Sequence, residues 1–102
     1  MNYGSIYTTQ NVSAVNIAST SIALAANPKR IAWSIQNLGA NVLYVRFGSG
    51  ATTTDFNLVL KAGTGTDDGT GGSLSQESGT IYNGIITIAG TSPRYSSFEF
   101  AP

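Results

Sequence analysis

The fold is decided between positions 31 and 47, Ile31-Ala32-Trp33-Ser34-Ile35-Gln36-Asn37-Leu38-Gly39-Ala40-Asn41-Val42-Leu43-Tyr44-Val45-Arg46-Phe47. Ile31, Trp33 and Ile35 occupy alternate positions, with Ala32, Ser34 and Gln36 between them, which is the two-residue period of a strand. Residues 38–41 read as a hairpin turn, because Gly39 and Asn41 tolerate positive φ. The return segment puts Leu43, Val45 and Phe47 on one side and Val42, Tyr44 and Arg46 on the other. Both sides carry bulk. This strand is expected to be central, with the core on one face and a neighbour on the other.

Working outward, Phe56, Leu58 and Leu60 form a further alternating set, closed by Lys61-Ala62-Gly63. Residues 63–73 are Gly, Thr and Asp, ending in Ser73, with no apolar anchor, and are expected to form a flexible loop or a long hairpin tip. Alternation resumes at Thr80, with Tyr82, Gly84, Ile86 and Ile88 on one face; Gly84 points to a bulge or a close backbone approach, and a bulge would turn Tyr82 away. The last strand covers 94–100, with Phe98 and Phe100 inward and Tyr95 and Glu99 outward. Earlier strands fall at 13–17 and 21–24, and helix signals are nearly absent. The result is an all-β chain, a single antiparallel β-sandwich or small jelly-roll-like barrel of six to eight short strands. Its expected core is Val15, Ile22, Leu24, Ile31, Trp33, Ile35, Leu43, Val45, Phe47, Phe56, Leu58, Leu60, Ile86, Ile88, Phe98 and Phe100.

A chain of 102 residues holds one domain, placed here at 12–102. Residues 1–11 precede the pattern and carry Tyr3, Ile6 and Tyr7 as apolar anchors in a polar setting. They read either as a frayed terminus or as an extended arm that adds a strand to a neighbour's sheet edge.

Charged residues make up 10% of the chain, against about 25% in an average soluble domain. Five basic residues balance five acidic ones, so the usual electrostatic brake on association is missing. That neutrality, with only Lys29 and Arg30 adjacent, excludes a phosphate-tracking nucleic-acid surface. No apolar run approaches the roughly 20 residues of a membrane span. The opening Met1-Asn2-Tyr3-Gly4-Ser5 has neither a basic nor an apolar leader region, so no secretory signal is expected there. The absence of Cys suits folding in a reducing cytoplasm.

With no His and no Cys, triads, thiol nucleophiles and imidazole or thiolate metal sites cannot be built within one chain. The carboxylates are Asp55, Asp67, Asp68, Glu77 and Glu99. Asp67 and Asp68 sit in the Gly-rich stretch, where neither a raised pKa nor a cleft is expected, and the spacing lacks the ligand order of a calcium loop. No catalytic, cofactor-binding or metal-binding residue is therefore assigned, and no enzymatic activity is expected. Trp33 belongs with the core. Tyr44 and Tyr95 are assigned to the less apolar faces, joined by Tyr82 if Gly84 is a bulge, as candidates for a subunit interface or a sugar platform. Arg30 opens one strand and Glu99 lies near the end of another; they are either unrelated surface charges or a bridge that pins two neighbouring strands.

From Asn27 onward the layout resembles small virion proteins of tailed bacteriophages. The elements are Asn27-Pro28-Lys29-Arg30, Ile35-Gln36-Asn37, Leu43-Tyr44-Val45-Arg46-Phe47-Gly48, residues 56–63 and Tyr82-Asn83-Gly84-Ile85-Ile86. The resemblance spans about three-quarters of the chain and departs in the length of 63–73. It implies a β-sandwich on a virion, made in the host cytoplasm and placed on the capsid surface. The first expectation is a decoration or cement protein, homotrimeric, bridging copies of the major capsid protein. A receptor- or glycan-binding module of a tail fibre, or a head-tail connector component, is the alternative.

Overall fold

The computed structural model describes residues 7–13, for their backbone, and 21–101. Within them lie β1 (Tyr7–Ser13), β2 (Ser21–Leu24), β3 (Ala32–Asn37), β4 (Leu43–Phe47), β5 (Leu58–Leu60), β6 (Ser73–Gln76), β7 (Ile86–Ala89) and β8 (Tyr95–Ala101). They form two four-stranded antiparallel sheets, β1-β8-β3-β6 and β2-β7-β4-β5. This is the strand order of a jelly roll, and the chain is a small all-β sandwich.

Only β4 and β5 are neighbours both in sequence and in a sheet. The 38–41 turn is therefore a corner between sheets, not the hairpin its Gly and Asn suggested. Both edges of β3 are already taken, by β8 and by β6, so β4 has to start the opposite layer. Trp33 and Ile35 of β3 then face Leu43 and Val45 of β4 across the interior, joined by Leu24, Leu60, Ile86 and Ile88. Each such side chain contributes roughly 1.5–3 kcal/mol by leaving water. Phe47, Leu58 and Tyr82 pack against this cluster from its margin.

Several expected core residues lie elsewhere. Ile22, Ile31 and Phe56 are exposed, and Val15 falls outside the described residues. Ile22 faces out because the β2–β7 ladder shifts register between Ile22 and Leu24, leaving Ala23 and Leu24 both buried. The strand expected from Thr80 begins only at Ile86. Before it, the Tyr82 ring folds over Gly84, whose missing side chain leaves room for the phenol group.

The largest reversal is in β8. Tyr95, Ser97 and Glu99 are buried, and Phe98 and Phe100 point outward, half-buried and edge-on to each other at 5.6 Å. Hydrogen bonding decides the orientation. Ser97 Oγ donates to Ala23 O at 2.7 Å, the Tyr95 hydroxyl donates to Ile22 O at 3.3 Å, and Glu99 accepts from Arg30. The bulged β2 backbone presents carbonyls that need inward donors, and an apolar β8 face would leave them unpaired.

Residues 63–73 are folded against the 38–41 corner. Gly63 N donates to Gly39 O and Asp67 N to Leu38 O. The last residue of this stretch opens β6, a strand that Ser-Leu-Ser-Gln did not announce. Residues 7–11, read as part of the arm, run along β8 as β1, in unbroken register from Tyr7↔Ala101 to Ser13↔Tyr95.

Candidate interface and the buried Arg30 cluster

The outward side of the second sheet carries Tyr44, Arg46, Val59, Thr87 and Ala89, as strand alternation from the inward Leu43, Val45, Leu60, Ile86 and Ile88 requires. Ala89, Tyr44 and Val59 are register partners across three strands. Val59 is 44% exposed, and Val42, two residues before Tyr44, is 39% exposed. The Phe56 ring leans on Tyr44 at 4.8 Å and is itself exposed. Val42, Tyr44, Phe56 and Val59 thus make one apolar surface. At its margin Arg46 pairs with Asp55, so the two charges there cancel. Past that margin, Thr87 Oγ1 donates to Gly48 O and accepts from Ala51 N, which holds residues 48–51 over the sheet.

Of the sequence-predicted interface residues, Tyr44 lies on this face. Tyr95 does not: it is 3% exposed, with its hydroxyl shared with Ser21 Oγ at 3.1 Å. Tyr82 also turns inward, 5.2 Å from the Phe47 ring, and its hydroxyl donates to Ile85 O. The cause is the same in both cases. A phenol hydroxyl that finds a carbonyl inside can be buried together with its ring. Tyr3 and Ile6 lie outside the described residues, and Tyr7 opens β1.

Arg30 and Glu99 do meet, since β3 and β8 are neighbours. Arg30 Nε donates to Glu99 Oε1 at 2.7 Å, with the two side chains 0% and 9% exposed. The contact is the bridge of the two readings, made through one hydrogen bond rather than a bidentate fork. Arg30 spends its other nitrogens on the carbonyls of Tyr82, Gly84 and Ala25. Asn27 Nδ2 completes the carboxylate at Glu99 Oε2. Those carbonyls lie next to β2 and β7, so one guanidinium ties the two sheets together at this end. A buried charge is tolerable only with such complete pairing.

Asn37 is the corresponding tie at the other end, and nothing in the sequence pattern singled it out. It is 1% exposed; its Oδ1 accepts from Gly39 N, and its Nδ2 donates to the carbonyls of Asn41, Leu60 and Lys61. Its place at the last position of an alternating strand, just before a Gly-containing turn, is the signal that was available.

The paired acids of the Gly-rich stretch are each engaged locally. Asp67 accepts two bonds from Arg94, at 2.7 and 2.6 Å, which hold its carboxyl below the usual range. Asp68 accepts from the Thr70 hydroxyl and amide and from the Thr64 hydroxyl, and is lowered for that reason. Among the described residues no group of three or more acidic side chains is placed to hold a metal ion.

No known protein family matches the chain, and no curated protein matches it. Among solved structures, a chain from work on Bacillus endospore appendages, described as a novel family of disulfide-linked pili, is similar at a TM-score of 0.45 and 18% identity. The match covers 94% of this chain and 84% of that one. A likeness at this level carries no argument about assembly or activity.

Proposed function

We propose that this chain is a non-enzymatic structural subunit that works by association. The observation that supports it is the apolar outer face of the second sheet, where Val42, Tyr44, Phe56 and Val59 lie together and the charges beside them cancel. Exposed apolar groups that are contiguous rather than scattered mark contact surfaces. A chain without net charge adds no long-range repulsion between copies. In the form implied by the resemblance to phage virion proteins, the subunit is a capsid decoration protein. It would be a trimer whose many weak contacts with coat subunits sum through avidity.

Light scattering over a hundredfold range of concentration tests the reading. A trimer or larger species, shifted toward smaller species by Val59→Lys with an unchanged circular-dichroism spectrum, is the expected result. A monomer at every concentration, with or without the substitution, would sink it. A second reading, a glycan-binding module, is favoured by the exposed Phe56 ring against Tyr44, with Asp55 and Asn57 beside it. Sugar binding on a glycan array that Phe56→Ala abolishes would establish it in place of the first.

A further inference from the structure

A sandwich of two open sheets has four edge strands, and each exposes backbone groups able to pair with another chain. Here the edges are β1 and β6 in the first sheet and β2 and β5 in the second. Three of them are blunted. β2 is broken by the bulge at Ala23, and the carbonyls of Ile22, Ala23 and Ala25 are taken by Tyr95, Ser97 and Arg30. β5 is three residues long, and Asn37 and Gly72 occupy the carbonyls of Leu60 and Lys61. β6 has four residues and is followed at once by Glu77.

β1 has none of these devices. It runs for seven residues, Tyr-Thr-Thr-Gln-Asn-Val-Ser, with no Pro and no charge. Its ladder with β8 is continuous, without a bulge. Among the described residues, nothing pairs with its other edge. We propose that this edge is a docking site for a second copy of β1, antiparallel across a two-fold axis, joining two four-stranded sheets into one.

The choice of occupant follows from the strand itself. In an isologous contact each residue near the axis meets its own kind, so a charged strand would set like charges opposite one another. Thr8, Thr9, Gln10, Asn11 and Val12 have no such conflict. Pairing β1 with β6 of another copy would use only the four residues of β6, whereas β1 on β1 uses the full strand from both sides. The inference rests on the reading of the chain as an associating subunit and names one contact through which it associates.

The lack of cysteine makes the test direct. Thr9→Cys, Gln10→Cys and Asn11→Cys each introduce a single thiol near the middle of β1, and Ser75→Cys places one on the opposite edge. Mild oxidation should give a disulfide-linked dimer in most of the protein for at least one β1 variant, because paired antiparallel residues bring Cβ atoms within bridging distance. Ser75→Cys should give little. In parallel, Gln10→Lys and Gln10→Glu should each weaken self-association about tenfold, and their mixture should restore it as a heterodimer. If the protein associates but no β1 thiol cross-links better than Ser75→Cys, the edge assignment is overturned while the subunit reading stands. Restoration that fails on mixing overturns it as well. A protein that stays monomeric throughout removes both.

Discussion

Arg30 and Glu99 meet at 2.7 Å inside the sandwich, and the same guanidinium also reaches the carbonyls of Tyr82, Gly84 and Ala25. Removing one member leaves a buried charge without its partner. Arg30→Met is expected to lower unfolding free energy by about 3–5 kcal/mol. Glu99→Leu should cost a similar amount, because it strands the cation. The double variant should recover part of the loss and stay below the parent, since the three carbonyls still lack their donor. Urea unfolding of the four proteins measures the coupling.

The orientation of β8 is tested by two changes with opposite expectations. Tyr95→Phe removes a hydroxyl bonded inside, to Ser21 and Ile22, and should cost about 0.5–1.5 kcal/mol. Phe98→Ser, on the outer face, should cost less than the roughly 3–5 kcal/mol of a core Phe truncation. Equal and large losses at Phe98 would mean that the strand faces the other way.

Asn37 fixes the corner between the sheets through the carbonyls of Asn41, Leu60 and Lys61. Asn37→Ala leaves these acceptors and the Gly39 amide short of partners, for a loss of about 2–4 kcal/mol. Gly71 lies against the same residue, and a Cβ there would run into the Asn37 carbonyl oxygen. Gly71→Ala should therefore cost about 1–3 kcal/mol. Thermal unfolding followed by circular dichroism would register both.

Asp67 and Asp68 set part of the acid sensitivity. Each carboxyl titrates below its unfolded value of 3.8 in the folded chain, Asp67 through Arg94 and Asp68 through Thr70. The unfolded chain then binds protons first as the pH falls. The stabilisation is complete above about pH 5 and fades as acid titrates first the unfolded and then the folded carboxyls. Arg94→Gln should flatten this acid-side slope, and added salt should do so in part, because the pair is exposed to solvent. Denaturant midpoints between pH 2 and 6 would show it.

How much of this was legible in the sequence depends on what each residue obeys. The period of 31–36 and 42–47 located two strands and the inward positions of Trp33, Ile35, Leu43 and Val45, which burial governs, whereas Ile31 precedes β3 and is exposed. Alternation failed at β8, where hydrophobicity pointed to Phe98 and Phe100, while the carbonyls of a bulged strand demanded the donors Tyr95 and Ser97 and the buried Arg30 demanded Glu99. The bulge at Ala23 is itself invisible in Ser-Ile-Ala-Leu, so its consequences could not be read from local pattern. Tyr44 lies on the outer face, as read from its place on the less apolar side of a strand whose other side is Leu43, Val45 and Phe47. Tyr82 and Tyr95 do not, since whether a phenol is buried depends on a carbonyl contributed by another part of the chain.

Although β7 and β8 come last in the chain, each lies in the interior of its sheet, between β2 and β4 and between β1 and β3. β1 and β2 therefore have no partner beside them until β8 and β7 are in place, whereas β4 with β5 and β3 with β6 can pair before that. Closure of both layers is a late, concerted event dominated by distant pairings, which slows folding. The β1 edge consequently has no ladder behind it until β8 docks, and the docking strand is completed only as the first sheet closes.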